Sequence, residues 1–332
     1  MKPYFSIIVI AYNRRKYLPW ALRSIQCQSF NDYELIVVKN FNDEVSDKLI
    51  KELNGINIYS NIMSIGYKVA LGLRNANGEV ITILEDDDVW RCNRLSEIYK
   101  VFSNNDKVIY FHNNAYAINE KNELIFNEGV YGTNIDENIY AESWHEKADV
   151  YKKYSLRICI WNSAMALRSD FIKRYANLIA LFPDSIDILL CILSLLNEGA
   201  IVHVRDKLTL FRIHEESSSN INYINDPYQR LMRAVKNSIR HMLAHHELIY
   251  LLNNYFKYER EKIGLRLDYD ESFVVGSIFS GWGRWGMKQF LNYSSNCRTT
   301  RCLGALMLSI LSSINSYIAK YFLTLYYYRI KK

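Results

Sequence analysis

The 332 residues are 49% hydrophobic and 23% charged, proportions that exclude extended disorder, collagen-like structure and a multi-span membrane protein. At roughly 150 residues per domain the length allows two domains, or one large domain with an appendage. The net charge of +6 conceals a split: residues 1–220 carry 25 basic and 28 acidic side chains, residues 221–332 carry 16 and 7. The basic third reads either as a solvated helical surface or as a face for anionic lipid, nucleic acid or an acidic partner. Six dispersed cysteines with no CxxC and no zinc-type Cys/His spacing fit a reducing compartment.

The apolar run Phe5 to Tyr12 is too short for a secretory signal, and its positive charges (Arg14, Arg15, Lys16) follow it rather than precede it. It reads as a buried strand. A helix is predicted through Tyr17, Trp20, Ala21 and Ile25, then strands at Glu34–Val38 and Ile56–Tyr59. Gly78-Glu79 introduces a strand VITIL that ends in four acids, Glu85 to Asp88. Such alternation predicts a mostly parallel sheet covered by helices on both faces, with ligands at the strand C-terminal ends. A strand at Val108–Phe111 is followed by a polar region to Tyr154, read as hairpins and loops. Further strands are expected at Ile158–Leu167, Ala200–Val204 and Leu208–Phe211, and a helix at Asp187–Glu198. The turn-rich SSSNINYINDP, ending at Pro227, places a boundary between a sheet domain, 1–219, and a helical, basic region, 220–332.

Four consecutive acids at the end of a buried strand repel one another unless a cation compensates them. Hard carboxylate oxygens suit magnesium or manganese. The competing reading is an acidic N-cap for the helix that begins near Arg91. Alternation along an extended chain would point Glu85 and Asp87 one way and Asp86 and Asp88 the other.

The blocks SIIVIAYNRRKYLPWALRSIQCQSFNDYELIVV, GE, VITILEDDDVW and FRIHEESSS occur in that order over Pro3 to Ser219, and here the sequence resembles the family 2 glycosyltransferases. The resemblance implies an α/β GT-A fold with a C-terminal helical extension, and a nucleotide-diphosphate sugar as donor. It also implies that Ile10, Ala11 and Tyr12 line the base pocket, that Glu85 and Asp87 take the first and last places of the Asp-x-Asp metal motif for Mg2+ or Mn2+, and that Glu85 and Asp86 face the donor. Where the family typically has two acids after the second strand, this chain has Lys39 and Asn40. Asn40 can present a carbonyl to the base, whereas Lys39 cannot accept a hydrogen bond. FRIHEESSS implies that Arg212 and His214 approach the donor, His214 at the metal and diphosphate, with Ser217 in a loop that orders on donor binding. For the general base, LFPDSIDILLCIL offers Asp184 and Asp187; spacing to the helix favours Asp184, and Asp187 also reads as a partner of the helix dipole. Trp161, Asn162 and Ser163 fall where the family shapes its acceptor site.

The implied activity is metal-dependent, inverting transfer to a glycan or lipid-linked acceptor hydroxyl. The alternative is a non-catalytic nucleotide-sugar or glycan-binding partner in an assembly complex. Nucleic acid is not an expected partner, since no recognition motif accompanies the basic charge. Cys302 to Ala319 is an uncharged amphipathic helix that either packs on protein, its own domain or a second copy, or lies at a membrane interface. The expected place is therefore the cytoplasm, with peripheral contact to the cytoplasmic membrane face. His241, His245 and His246 share a helix and read as a solvated or interhelical cluster, and SGWGRWG, Ser280 to Gly286, resembles a turn near an acceptor or lipid surface.

Overall fold

The structure, a computed structural model, describes residues 2–125, 134–215 and 226–264. Ser217, the boundary segment up to Asn225, SGWGRWG and the helix expected at Cys302–Ala319 lie outside the described residues.

The first hundred residues alternate strand and helix as the apolar spacing predicts. β1 (Phe5–Ile10) is buried at every position, α1 (Leu18–Gln26) opens with a proline in its first turn, and β2 is Tyr33–Lys39. α2 (Glu44–Glu52) is capped by Asp43, whose side chain accepts from Ser46 N, and β3 is Ile56–Tyr59. α3 (Ile65–Asn75) is capped by Ser64, and β4 is Val80–Glu85. Gly66 is required by close approach: a Cβ there would sit 2.1 Å from Ile179 O and 2.4 Å from Phe182 O. After β4 come β5 (Val89–Trp90), α4 (Arg94–Ser103), β6 (Val108–Ile118), β7 (Leu124–Ile125) and β8 (Ile139–Ala141). Then follow α5 (Trp144–Tyr154), β9 (Met165–Arg168), α6 (Ser169–Lys173), α7 (Ala176–Leu181), α8 (Ile186–Leu195) and β10 (Ala200–Arg212).

The strands form one sheet in the order β3-β2-β1-β4-β9-β6-β10-β5, with β7 on β6 and β8 on β10. β1, β2, β3 and β4 run parallel, as do β6 and β10, while β9 inserts antiparallel between β4 and β6. Arg94, fully buried, ties this junction by donating to Thr82 Oγ1, Asn113 Oδ1 and Met165 O. Because burial without a carboxylate disfavours its charge, its pKa falls to about 9.

Several sequence expectations are corrected. The polar region after Phe111 holds a continuation of β6 to Ile118, where Asn113 and Asn114 are buried and satisfied by Thr209 Oγ1, Ile135 O and Arg205 O. The same region holds α5, which starts with a reciprocal capping box between Ser143 and Glu146. Of the expected Ile158–Leu167 strand only Met165–Leu167 lies in a strand, which runs on to Arg168; Trp161, at φ 68°, breaks the run before it. The two closing strands are one, β10, with register shifts against β6 after Val204 and Lys207. Four of the six cysteines form disulfides, Cys27–Cys92 and Cys159–Cys191, against the expectation of reduced thiols. Separations of 65 and 32 residues hide these pairs in the sequence.

The chain divides into two compact units. One holds Met1–Ile213 with Tyr258–Leu265, and the other holds His214–Lys257 with Arg266–Lys332. In the second, the helix α9 (Pro227–Asn254) contains His241, His245 and His246; α10 (Lys257–Ile263) belongs from Tyr258 onward to the first. No helix among the described residues is long and apolar enough to cross a membrane.

Candidate functional site

The acidic run sits where β4 stops. Glu85 is the last strand residue, and the chain turns at once, Asp88 N donating to Glu85 O at 3.2 Å. The turn breaks the alternation expected of an extended chain. Glu85, Asp87 and Asp88 converge, with one carboxylate oxygen from each lying within 4.8 Å of the others. Asp86 faces instead toward the end of β1, where its Oδ2 accepts from Tyr12 N at 3.1 Å and its own N–H donates to Ile10 O. Asp88 was not among the expected ligands; the run of four acids was the available signal.

The electrostatics follow from crowding in a dry place. Burial first, then repulsion from Asp87 and Asp88, holds the Glu85 carboxyl well above its ordinary range, despite Arg14 and a hydrogen bond from Asn162. Asp86 is pushed up to about 7 by burial, against the pull of Arg14. Asp88 is likewise pushed up to about 7, by burial and by Asp87. Arg14 joins the cluster, meeting Asp86 Oδ1 at 2.9 Å and Asp87 Oδ2.

Two elements brace this turn. Arg212, fully buried at the end of β10, uses all three guanidinium nitrogens: Nε donates to Asp87 O at 2.7 Å, Nη1 to Asn119 O at 2.8 Å and Nη2 to Asn122 Oδ1 at 2.6 Å. Its backbone N–H donates to Asp88 Oδ1 at 3.0 Å. Arg212 thus holds the acidic turn to the loop between β6 and β7. On the other side, Ser163 Oγ accepts from Glu85 N at 3.1 Å and Asn162 Nδ2 donates to Glu85 Oε1 at 2.9 Å.

The same short segment reaches the base candidates. Trp161 N donates to Asp187 Oδ2 at 3.1 Å, so consecutive residues, 161 and 162, connect Asp187 to Glu85. Asp187 lies in the first turn of α8, and burial, helped by the charge of Asp184, raises its pKa to about 6 against the backbone N–H groups of Ile188, Trp161 and Asp187 itself. Asp184 lies before the helix, with Oδ1 accepting from Ser185 N at 2.8 Å. The Trp161 ring stacks on Phe211, centroids 5.2 Å apart.

At the end of β1, Ile10 and Ala11 are buried and Tyr12 is half-buried. The Lys68 ammonium lies 4.5 Å from the centre of the Tyr12 ring, and burial lowers its pKa to about 8. Asn40 forms a reciprocal pair with Asn13: its Oδ1 accepts from Asn13 N at 2.9 Å and its Nδ2 donates to Asn13 Oδ1 at 2.7 Å. Lys39 is buried and turned away, its ammonium 2.8 Å from Asp47 and donating to Phe41 O. His214 is buried two residues beyond Arg212.

Residues 6–174 match Glycosyl transferase family 2, and the chain belongs to that family. Its mixed α/β sheet flanked by helices is the GT-A fold. A Nostoc protein described as an uncharacterized glycosyltransferase is 30% identical over 113 residues, 32% of this chain and 35% of its own length. The Escherichia coli putative colanic acid biosynthesis glycosyl transferase WcaA is 28% identical over 160 residues, 46% of this chain and 53% of its own. The Campylobacter jejuni GalNAc(5)-diNAcBac-PP-undecaprenol beta-1,3-glucosyltransferase is 27% identical over 158 residues, 46% and 47% of the two lengths. The chain spans about a third to a half of these relatives. S. aureus TarS 1-349 in complex with UDP-GlcNAc superimposes with a TM-score of 0.56 at 15% identity, covering 98% of this chain and 92% of that one. At that identity the likeness speaks for the fold alone.

Proposed function

We propose that this family member transfers a sugar, with inversion, from a nucleoside-diphosphate sugar to a hydroxyl of a glycan or lipid-linked acceptor. The observation that carries the proposal is the bridge at Trp161–Asn162, which links a carboxylate poised to accept a proton, Asp187, with a cluster of three carboxylates suited to a divalent cation. The UDP-GlcNAc complex of TarS supports the donor class, and the undecaprenol-linked substrate in the name of the Campylobacter relative supports the acceptor class.

The donor set fits Mg2+ or Mn2+: it is all hard oxygen, and its raised pKa values mark charge that the protein alone leaves undercompensated. Glu85, Asp87 and Asp88 would hold the ion, which when bound neutralises charge on a departing diphosphate. Asp187 is the group that removes the acceptor proton, since a carboxylate at about 6 is ionised at neutral pH yet basic enough to take it. Attack on the anomeric carbon from the face opposite the nucleotide inverts configuration. Tyr12, Ile10 and Ala11 bind the base, with Lys68 fixing the Tyr12 ring. His214 keeps the diphosphate-side role that the family pattern gives it.

The test is thermal stabilisation by a panel of nucleoside diphosphates with and without Mn2+, for wild type and Asp87→Ala, followed by product analysis with the stabilising donor. A Mn2+-dependent shift lost in Asp87→Ala and a product of inverted configuration are expected. Donor binding with equal strength in the variant would refute the metal site, and a product of retained configuration would refute the displacement. The compartment is read from the thiols of the isolated protein: the two disulfides intact would set aside the cytoplasmic expectation, and reduced thiols would support it.

A further inference from the structure

Arg14 has no part in the chemistry above, yet its guanidinium is placed between two carboxylates of the acidic turn. Nη2 meets Asp86 Oδ1 at 2.9 Å and Nη1 meets Asp87 Oδ2; the Arg14 side chain is 23% exposed, and the two carboxylates only 0% and 8%. The contact is built rather than incidental. The backbone that leads into Arg14 is fastened at two consecutive residues: Tyr12 N donates to Asp86 Oδ2, and Asn13 N donates to Asn40 Oδ1. Asn13 itself adopts φ 62°, a left-handed conformation that asparagine tolerates and that lets the chain double back toward the turn.

The consequence concerns order of binding. Asp87 shares its charge with a guanidinium, and Asp87 is also one of the three carboxylates that converge on a cation site. A guanidinium and a divalent ion on one carboxylate repel each other strongly in so buried a place. A freed guanidinium, planar and always charged, has a natural acceptor in a diphosphate, which it can meet with two parallel hydrogen bonds.

We propose that Arg14 is a resident counter-cation of the acidic turn, which a divalent ion displaces from Asp87, and that the released guanidinium then pairs with the donor diphosphate, so that metal and nucleotide bind cooperatively. The proposal rests on the divalent-cation reading of the turn. Arg14 is then a positioning residue in the unliganded protein, and a donor contact in the loaded one.

Mn2+ binding, followed by the electron paramagnetic resonance of the free ion, tests this for wild type, Arg14→Met and Arg14→Lys, each with and without UDP. Without UDP, Arg14→Met should bind Mn2+ about tenfold tighter than wild type, because the competing cation is gone. Arg14→Lys, whose single ammonium cannot span both carboxylates, should show a smaller gain. UDP should tighten Mn2+ binding to wild type by about tenfold, and clearly less in Arg14→Met. Far-UV circular dichroism and urea midpoints check the fold; should Arg14→Met fail it, the folded Lys variant carries the test. Wild type that binds Mn2+ while the folded variants bind it no tighter would overturn the role of Arg14 and leave the metal site standing. No Mn2+ binding by any protein, with or without UDP, would overturn both.

Discussion

Replacing Arg212 by alanine separates two readings of this side chain, donor contact and brace of the acidic turn. The structure gives it three acceptors, Asp87 O, Asn119 O and Asn122 Oδ1, and places its guanidinium 5.1 Å from the centre of the Tyr17 ring. Each buried acceptor left without its donor costs about 1–3 kcal/mol. Water entering the vacated space recovers part of that, so the expected loss is about 3–5 kcal/mol in the unfolding of the sheet unit, read from urea titration of tryptophan fluorescence. The Asp87 carbonyl would also lose its anchor, so Mn2+ binding should weaken in the same variant. Arg212→Lys keeps the charge but reaches fewer acceptors, and should fall between the two. A loss below about 1 kcal/mol, together with a raised KM for the donor, would refute the bracing role, because a group that serves only the substrate leaves the empty protein's stability unchanged.

Two further predictions concern the base and the helix layer. If Asp187 is the general base, kcat/KM should fall as pH drops through about 6, since its burial-raised pKa means that the proton-accepting form is lost there. Asp187→Asn should lower kcat by about 10²–10⁴-fold, and Asp184→Asn should move the acidic limb to lower pH by removing a nearby negative charge; an unmoved limb and a fully active Asp187→Asn would eliminate Asp187. Gly66→Ala should destabilise the sheet unit by about 3 kcal/mol in the same urea assay, because the added methyl would face two backbone carbonyls, which cannot swing aside as a side-chain tip can; an unchanged midpoint would show that α3 and α7 are free to separate.

How legible was this molecule in its sequence? Buried parallel strands announce themselves as short β-branched runs, which is why β1, β2 and β4 lie where the pattern puts them. Periodicity has less to say where polar groups are buried and satisfied by other polar groups. Asn113 and Asn114 look like loop residues, yet they lie within β6 because Thr209, Ile135 and Arg205 complete their hydrogen bonds from afar. The helix α5 was readable from Ser143 and Glu146, three apart, a capping signal that its weakly apolar sequence obscured. At the acidic block, alternation pairs Glu85 with Asp87 and turns Asp88 the other way, because it presumes an extended chain; the chain turns after Glu85 instead, which brings Asp88 to Glu85 and Asp87 and leaves Asp86 facing Tyr12 and Arg14.

The departure at Lys39-Asn40 shows why a missing motif residue is weak evidence of a lost site. Lys39 occupies a position where an acid is typical of the family, and a cation facing a nucleotide base would be hard to reconcile with donor binding. Its ammonium instead lies against Asp47 and Phe41 O, on the α2 side of the strand. The Asp47 carboxyl, which partial burial would raise, is held below its ordinary value by that ammonium. The charge reversal is therefore neutralised within the fold. Asn40, the second departure, has both ends of its carboxamide engaged by Asn13, in the loop that carries Tyr12 and Arg14. An aspartate at that position could accept from Asn13 N but could not donate to Asn13 Oδ1. The amide meets both Asn13 groups at once and so helps fix the left-handed turn that aims Arg14 at the carboxylates of the acidic turn, and its carbonyl retains a second lone pair for a base. The departure from the family pattern and the position of Arg14 are two ends of one arrangement.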